Sequence, residues 1–276
     1  MAQAASTDEP VWPELEELHE LVAQIADEEL VPRFAEAERR FKADGSIVTE
    51  ADLAVQRRLG AALAERWPAY RLLGEEMSAP EQAALLAEPG PGLWCLDPLD
   101  GTSNFAAGLP FFAVSLALLR DGAPVLGLVY DPIRRECFTA RRGAGAWLNG
   151  APLGQRVPQL ELARCIAAVD FKRLAPALAA RLAAEPPYSS QRSFGSVALD
   201  WCWLAAGRFH VYVHGRQRLW DFAAGWLILE EAGGRSQTLE GEAVFRAGTG
   251  PRSALAALAG PLFEQWRGWF GAPGRG

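Results

Sequence analysis

The segment Trp94-Cys95-Leu96-Asp97-Pro98-Leu99-Asp100-Gly101-Thr102-Ser103-Asn104-Phe105 decides how this chain folds and what it does. Leu93 to Leu96 is apolar without a break and reads as a buried strand, with Asp97 at its C-terminal end. Pro98 removes a backbone donor and opposes regular continuation. Asp100-Gly101 then reads as a turn, so two carboxylates converge with the turn's backbone carbonyls. Oxygen ligands of this kind suit a hard cation. The amides of Gly101 and Thr102, opening a helix, would face an anion. The same letters also fit an acidic turn that only caps a helix. The recurrence of acids in matching contexts tells against that simpler reading.

Gly74-Glu75-Glu76 follows Tyr70 to Leu73, a short apolar segment expected to be a strand. Asp221 follows Trp220 at the start of a helix expected to run to Ala232. Asp52 lies three residues after Thr49, the pattern of a capping box, at the head of a helix that Pro68 ends just after Trp67. Each acid alone fits an ordinary solvent-facing turn or a first-turn position favoured by the helix dipole. Four of them at strand ends and helix starts are harder to dismiss.

Further out, Leu15, Leu18, Leu21, Val22 and Ile25 recur at helical spacing, and the first 40 residues read as a helix that Pro32 kinks or ends. Lys42 to Ser46 is a loop by composition. Residues 78–92, with Pro80, Pro89 and Pro91, form an irregular excursion with a short helix. Phe111 to Leu119 and Pro124 to Tyr130 are strands joined through Asp121-Gly122, a hairpin signal. Arg164 to Val169 and Phe209 to Val213 are further strands. Leu174 to Ala184 and Ser196 to Ala206 are helices, and Gly207 and Gly233 stand where C-terminal caps belong. Strands alternating with helices around a hairpin predict a layered α/β or α+β sandwich with a mixed sheet.

Bulk properties narrow the function. A chain of 276 residues, half of them apolar, suffices for one large domain. A net charge of −7 and a pI near 5.2 argue against a general nucleic-acid binder. Arg134-Arg135 and Arg141-Arg142 read as a solvated face. Cys95, Cys137, Cys165 and Cys202 form no CxxC pair and read as buried thiols in a reducing compartment. The N-terminal stretch Met1 to Pro10 is polar and acidic, unlike a signal peptide, and the apolar run from Leu109 to Leu119 is too short to span a bilayer. A cytoplasmic location without membrane contact is the expectation.

Three blocks together resemble the inositol monophosphatase family: Gly74-Glu75-Glu76; Asp97-Pro98-Leu99-Asp100-Gly101-Thr102-Ser103-Asn104-Phe105; and Trp220-Asp221-Phe222-Ala223-Ala224-Gly225 running into Glu231-Ala232-Gly233-Gly234. Lys42 through Asp52 is a weaker fourth block. The resemblance implies an α+β fold of the αβαβα sandwich type, a single phosphatase domain over residues 1–276, and a homodimer. Residues 1–150 would be the metal-binding half, and residues 151–276 the half that supplies Asp221. It implies two or three Mg²⁺ ions: Glu75, Asp97 and the Leu99 carbonyl around one, Asp97, Asp100 and Asp221 around a second, and a weaker third leaning on Glu75, with Glu76 nearby. Asp52 and Thr102, with Glu75, would serve catalysis. Gly101, Thr102, Ser196 and Asp221 would bind substrate. The chemistry is consistent, because a phosphate dianion repels hydroxide until cations neutralise it and activate water. GxSxG and a P-loop are both absent.

One departure concerns the substrate. Animal members of the family carry a glutamate before the Trp-Asp block, whereas Val213-His214-Gly215-Arg216-Gln217-Arg218-Leu219-Trp220 has no acid. Sugar or cyclitol phosphates lead the candidate substrates. Arg216 and Arg218 hint at a second anionic group, although solvent-facing arginines explain them as simply. His214 reads as a local hydrogen-bonder. The rival readings are a 3′-phosphoadenosine 5′-phosphate phosphatase and a non-catalytic partner-binding protein that retains the fold.

Overall fold

A computed structural model describes residues 12–34, 36, 40–41, 47–88, 90–155 and 159–271. In chain order the elements are α1 (Leu15–Glu29), β1 (Arg40–Phe41), β2 (Ile47–Val48), α2 (Glu50–Arg66), β3 (Arg71–Gly74), α3 (Ala79–Ala87), β4 (Leu93–Asp100) and α4 (Thr102–Ala107). There follow β5 (Ala113–Arg120), β6 (Ala123–Asp131), β7 (Glu136–Arg141), β8 (Gly145–Leu148), β9 (Ala151–Pro152), β10 (Ile166–Val169), α5 (Pro176–Ala184) and β11 (Ser190–Arg192). The chain continues with α6 (Val197–Ala205), β12 (Val211–Gln217), α7 (Leu219–Glu231), β13 (Arg235–Gln237), β14 (Arg252–Ala257) and α8 (Gly260–Gly271).

Two mixed sheets organise these elements. The larger has the order β3-β4-β5-β6-β7-β8-β9, in which only β3 and β4 pair in parallel. The smaller has the order β11-β10-β12-β14-β13, with β10, β11 and β12 parallel and β14 antiparallel to both its neighbours. The stripe predicted on α1 is real: Leu18, Leu21, Val22 and Ile25 are buried with Val55, Leu59 and Leu63 of α2 against one face of the larger sheet. The other face packs on α6 and α7, whose far side meets Tyr212, Ala254 and Ala256 of the smaller sheet. α5 and α8 cover that sheet's outer face through Leu182, Phe263 and Trp266. The result is the αβαβα sandwich expected from the sequence. α6 and α7 are apolar nearly all round because they lie between two sheets.

Several boundaries differ from the sequence reading. The first helix ends at Glu29, and Pro32 falls in the single 3₁₀ turn Val31–Arg33 that follows. The expected loop from Lys42 to Ser46, and with it part of the weak fourth block, lies outside the described residues. β4 continues through Pro98 to Asp100 instead of stopping at Asp97. Its register against β5 shifts between Asp97, paired with Ser115, and Asp100, paired with Ala113. This bulge accommodates the missing donor of Pro98 and re-aims both acids. The hairpin at Asp121-Gly122 forms as expected, with positive φ at both residues. Arg134 and Arg135 are exposed, as read, and the Arg134 guanidinium also donates to the buried Asp131 carboxylate at 2.7 Å and lies over the Trp203 ring. All four cysteines are buried and free. No helix among the described residues is long and apolar enough to cross a membrane.

Candidate metal and phosphate site

The carboxyl end of β4, the turn after β3 and the starts of α2, α6 and α7 meet in one region. Asp97 is buried, and its Oδ1 accepts the Leu99 amide at 3.0 Å. Asp100 is also buried. Its Oδ2 accepts the Ser196 hydroxyl at 2.5 Å and the Ala198 amide at 2.8 Å. Asp221, in the first turn of α7, accepts the Arg218 amide at 2.7 Å through Oδ2. In each case one carboxylate oxygen fixes the rotamer while the other takes no part in those bonds. Glu75 is held through its backbone: its amide donates to the Leu96 carbonyl at 3.1 Å, and its carbonyl accepts from Gln82 Nε2 at 3.2 Å. The neighbouring Glu76 amide donates to Gln56 Oε1 at 3.0 Å.

The acids sit in one another's field. Burial first, then the charges of Glu75, Asp100 and Asp221, push Asp97 well above the usual carboxylate range. Asp221 is raised in the same way, by burial and then by Asp100 and Glu75. Burial raises Asp100 to about 6, with Glu75 adding to it against the hydrogen bonds from Ser196 and Ala198. Among the described residues no three His, Cys, Asp or Glu side chains form a finished metal-ligand group. The donor set nonetheless fits a hard cation: it is all oxygen, partly desolvated, and shaped by mutual repulsion that a divalent ion would relieve.

Thr102 and Asp52 also meet. Thr102 Oγ1 lies 3.2 Å from Asp52 Oδ1 and 3.0 Å from the Leu99 carbonyl. The capping box is present: Asp52 Oδ2 accepts both the amide and the hydroxyl of Thr49, at 2.8 and 2.6 Å. Burial raises Asp52 to about 6 against those bonds, with smaller contributions from Glu76 and Glu75. The cap and the site therefore use the two oxygens of one carboxylate. Gly101 has φ +94°, and a Cβ there would come within 2.9 Å of the Phe111 carbonyl, so the tight turn requires glycine. Ser196 is both the N-cap of α6 and the partner of Asp100.

Sequence reasoning placed Glu75, Asp97, Asp100, Asp221, Asp52, Thr102, Gly101 and Ser196 in one neighbourhood, and the structure brings them there. It overlooked Asn104, whose Nδ2 donates to the Phe111 and Phe194 carbonyls at 2.8 and 2.6 Å and so seats the loop before Ser196. It also overlooked Asp170, which stands beside His214. Arg216 and Arg218 are exposed, and Arg218 donates to the Thr249 carbonyl at 3.0 Å.

A five-layer sandwich with buried acids at the junction of its sheets defines a narrow class of protein, and comparison with known proteins agrees. The description "Inositol monophosphatase family" matches residues 9–267. The chain belongs to the inositol monophosphatase family. It is 38% identical over 202 residues to Nus factor SuhB of Pasteurella multocida strain Pm70, covering 70% of this chain and 72% of that protein. It is 36% identical over 201 residues to inositol monophosphatase 1 of Solanum lycopersicum, with 70% and 72% covered. The solved structure of the Thermotoga maritima IMPase superimposes with a TM-score of 0.79 at 29% identity, covering 93% of this chain and 96% of that one.

Proposed function

We propose that this chain hydrolyses small phosphate monoesters, of the inositol or sugar phosphate class, in an Mg²⁺-dependent reaction. The observation that carries the reading is the buried Asp97 carboxylate in the combined field of Glu75, Asp100 and Asp221. Glu75, Asp97, the Leu99 carbonyl, Asp100 and Asp221 would hold two or three Mg²⁺ ions. Such ions would supply charge to neutralise the phosphate, a lower pKa for water and stabilisation of the departing alkoxide.

The chain's own groups do the rest. Thr102 Oγ1 and Asp52 Oδ1, 3.2 Å apart, orient the attacking water and take its proton. An acid raised to about 6 is well matched to that transfer near neutral pH. The Gly101 and Thr102 amides hold phosphate oxygens. Ser196 fixes Asp100, and Asp221 lies toward the leaving alcohol. Positioning and charge stabilisation suffice, because phosphoryl transfer needs little covalent chemistry from the protein. The reading takes residues 1–276 as a single phosphatase domain, acting in the cytoplasm as a homodimer.

Phosphate release over a panel of monoesters and bisphosphates, with and without Mg²⁺, tests the proposal. Wild type should be active only with the metal, and Asp97→Asn should be silent. Activity confined to 3′-phosphoadenosine 5′-phosphate would move the substrate class to nucleotides. The relative named Nus factor SuhB favours a second reading, a partner-binding protein on the same fold. Tight binding to a protein partner with no turnover on any ester would support that one.

A further inference from the structure

Beyond the acid cluster, on the side of the smaller sheet, lies a polar group that the chemistry above leaves unused. β10 and β12 run parallel with Val169 opposite Val213, so the next residues, Asp170 and His214, lie side by side. His214 Nε2 stands 3.5 Å from Asp170 Oδ2. The imidazole is buried, and its Nδ1 accepts the Arg216 amide at 3.2 Å. An accepting Nδ1 leaves the proton of a neutral ring on Nε2, where it faces the carboxylate. Both ring nitrogens are committed, so the ring has no group left for a substrate. What it presents is Asp170.

Asp170 is suited to contact a ligand. Its side chain keeps 22% of its exposure, and its Oδ1 also accepts the Lys172 amide at 3.1 Å. Burial disfavours its charge, but the contacts from His214, the charge of Arg173 and the Lys172 amide outweigh that and hold it below the usual carboxylate range. Gly215 maintains the arrangement: a Cβ there would lie 1.9 Å from the Arg173 carbonyl, so any side chain would push the turn after Asp170 off the strand end.

Asp200 ties this pair to the acid cluster. It lies one helical turn beyond Ser196, is nine-tenths buried, and its Oδ1 has no hydrogen-bond partner among the described residues. Its charge is disfavoured by burial and then by Asp100 and Asp170 together. Ala168 and Tyr212 face α6 and α7 while Val169 and Val213 face the other way, so the alternation of strand side chains directs Asp170 and His214 toward the layer whose first α6 turn holds Asp100. The buried Tyr212 hydroxyl and Gln217 Nε2, also unpartnered among the described residues, extend the polar region along β12.

We infer that Asp170 is the specificity-determining acid for the leaving group, and that His214 is its positioning residue. Resting on the phosphatase reading, the inference gives the substrate a chemistry. Its alcohol portion carries hydrogen-bond donors, hydroxyl or ammonium, which the Asp170 carboxylate accepts beside the hydrolytic centre. The acid absent from the segment before Trp220 is thus supplied by the neighbouring parallel strand.

The test is phosphate release from glycerol 2-phosphate, phosphoethanolamine and phenyl phosphate by wild type, Asp170→Asn, His214→Val and His214→Gln, each with Mg²⁺. Asp170→Asn should lower kcat/KM for glycerol 2-phosphate about 10-fold relative to phenyl phosphate, mainly through KM. Phosphoethanolamine should lose more if the recognised donor is an ammonium. His214→Val should reproduce the Asp170→Asn loss, and His214→Gln, which keeps an N–H, should recover part of it. Equal losses on all three esters, or unchanged ratios, would overturn the assignment while leaving the phosphatase reading intact. Wild type inactive on every ester would overturn both. Melting curves establish that each variant folds; if Asp170→Asn does not, the two His214 variants decide.

Discussion

Ser196 Oγ donates a 2.5 Å hydrogen bond to Asp100 Oδ2, although the two residues are 96 positions apart in the chain. The bond joins the bulged end of β4 to the first turn of α6, so the rotamer of a candidate metal ligand depends on a hydroxyl from the other half of the fold. Ser196→Ala should lower Mg²⁺ affinity about 10- to 100-fold, the usual effect of removing a partner that orients a ligand. Calorimetric titration with Mg²⁺ measures this, and an unchanged affinity would show that Ser196 serves only as the cap of α6.

The acid cluster sets a direction for pH dependence. Asp52 and Asp100 are raised from an ordinary 3.8 to about 6 in the folded chain. An acid raised on folding binds more protons when folded, so stability falls as pH rises from the unfolded value through the folded one. In the presence of chelator the melting temperature should therefore drop between about pH 4 and pH 6 and stay low at pH 7. Mg²⁺ should raise it more at pH 7 than at pH 5. A chelated protein that gains stability across that window would contradict the account.

Thr102 and Asp52 are predicted to act as one unit. Thr102→Ala and Asp52→Asn should each slow turnover by about 100-fold or more, the range for a positioned general base. The double variant should be little worse than either single one. Thr102→Ser keeps the hydroxyl and should retain most of the rate. Single-turnover phosphate release separates this loss from weakened metal binding.

Gly215→Ala places a methyl group 1.9 Å from the Arg173 carbonyl. Moving that backbone should cost about 1–3 kcal/mol in urea unfolding. It should also reduce discrimination between glycerol 2-phosphate and phenyl phosphate, because the same shift separates Asp170 from His214. A neutral substitution would mean that the turn yields freely.

What the sequence made legible followed the physics of each signal. Strong periodicity marked α1, which is shorter than the 40 residues read as helix, and the Thr49/Asp52 box marked the start of α2 near Thr49, its N-cap. Aspartates at element ends marked the candidate site because each stands out locally against apolar neighbours. The strands β7, β8, β13 and β14 and the helix α8 were not anticipated. Their segments are short or rich in arginine and glycine, and their pairing depends on partners distant in the chain. Asp170 was missed for a related reason: nothing beside it in sequence marks it, and its meaning comes from the parallel register that sets it next to His214. Pro98 misled in the other direction, because a bulge lets a strand run through a proline.

The two sheets share α6 and α7 as a common filling, and Asp221 arrives only with α7. A ribosome that has made the whole larger sheet has therefore produced three of the four clustered acids and no closed site. The cluster of four acids is complete only once the last fifth of the polypeptide is being synthesised. On the proposed reading, a half-built chain would carry Glu75, Asp97 and Asp100 without the fourth acid of their cluster.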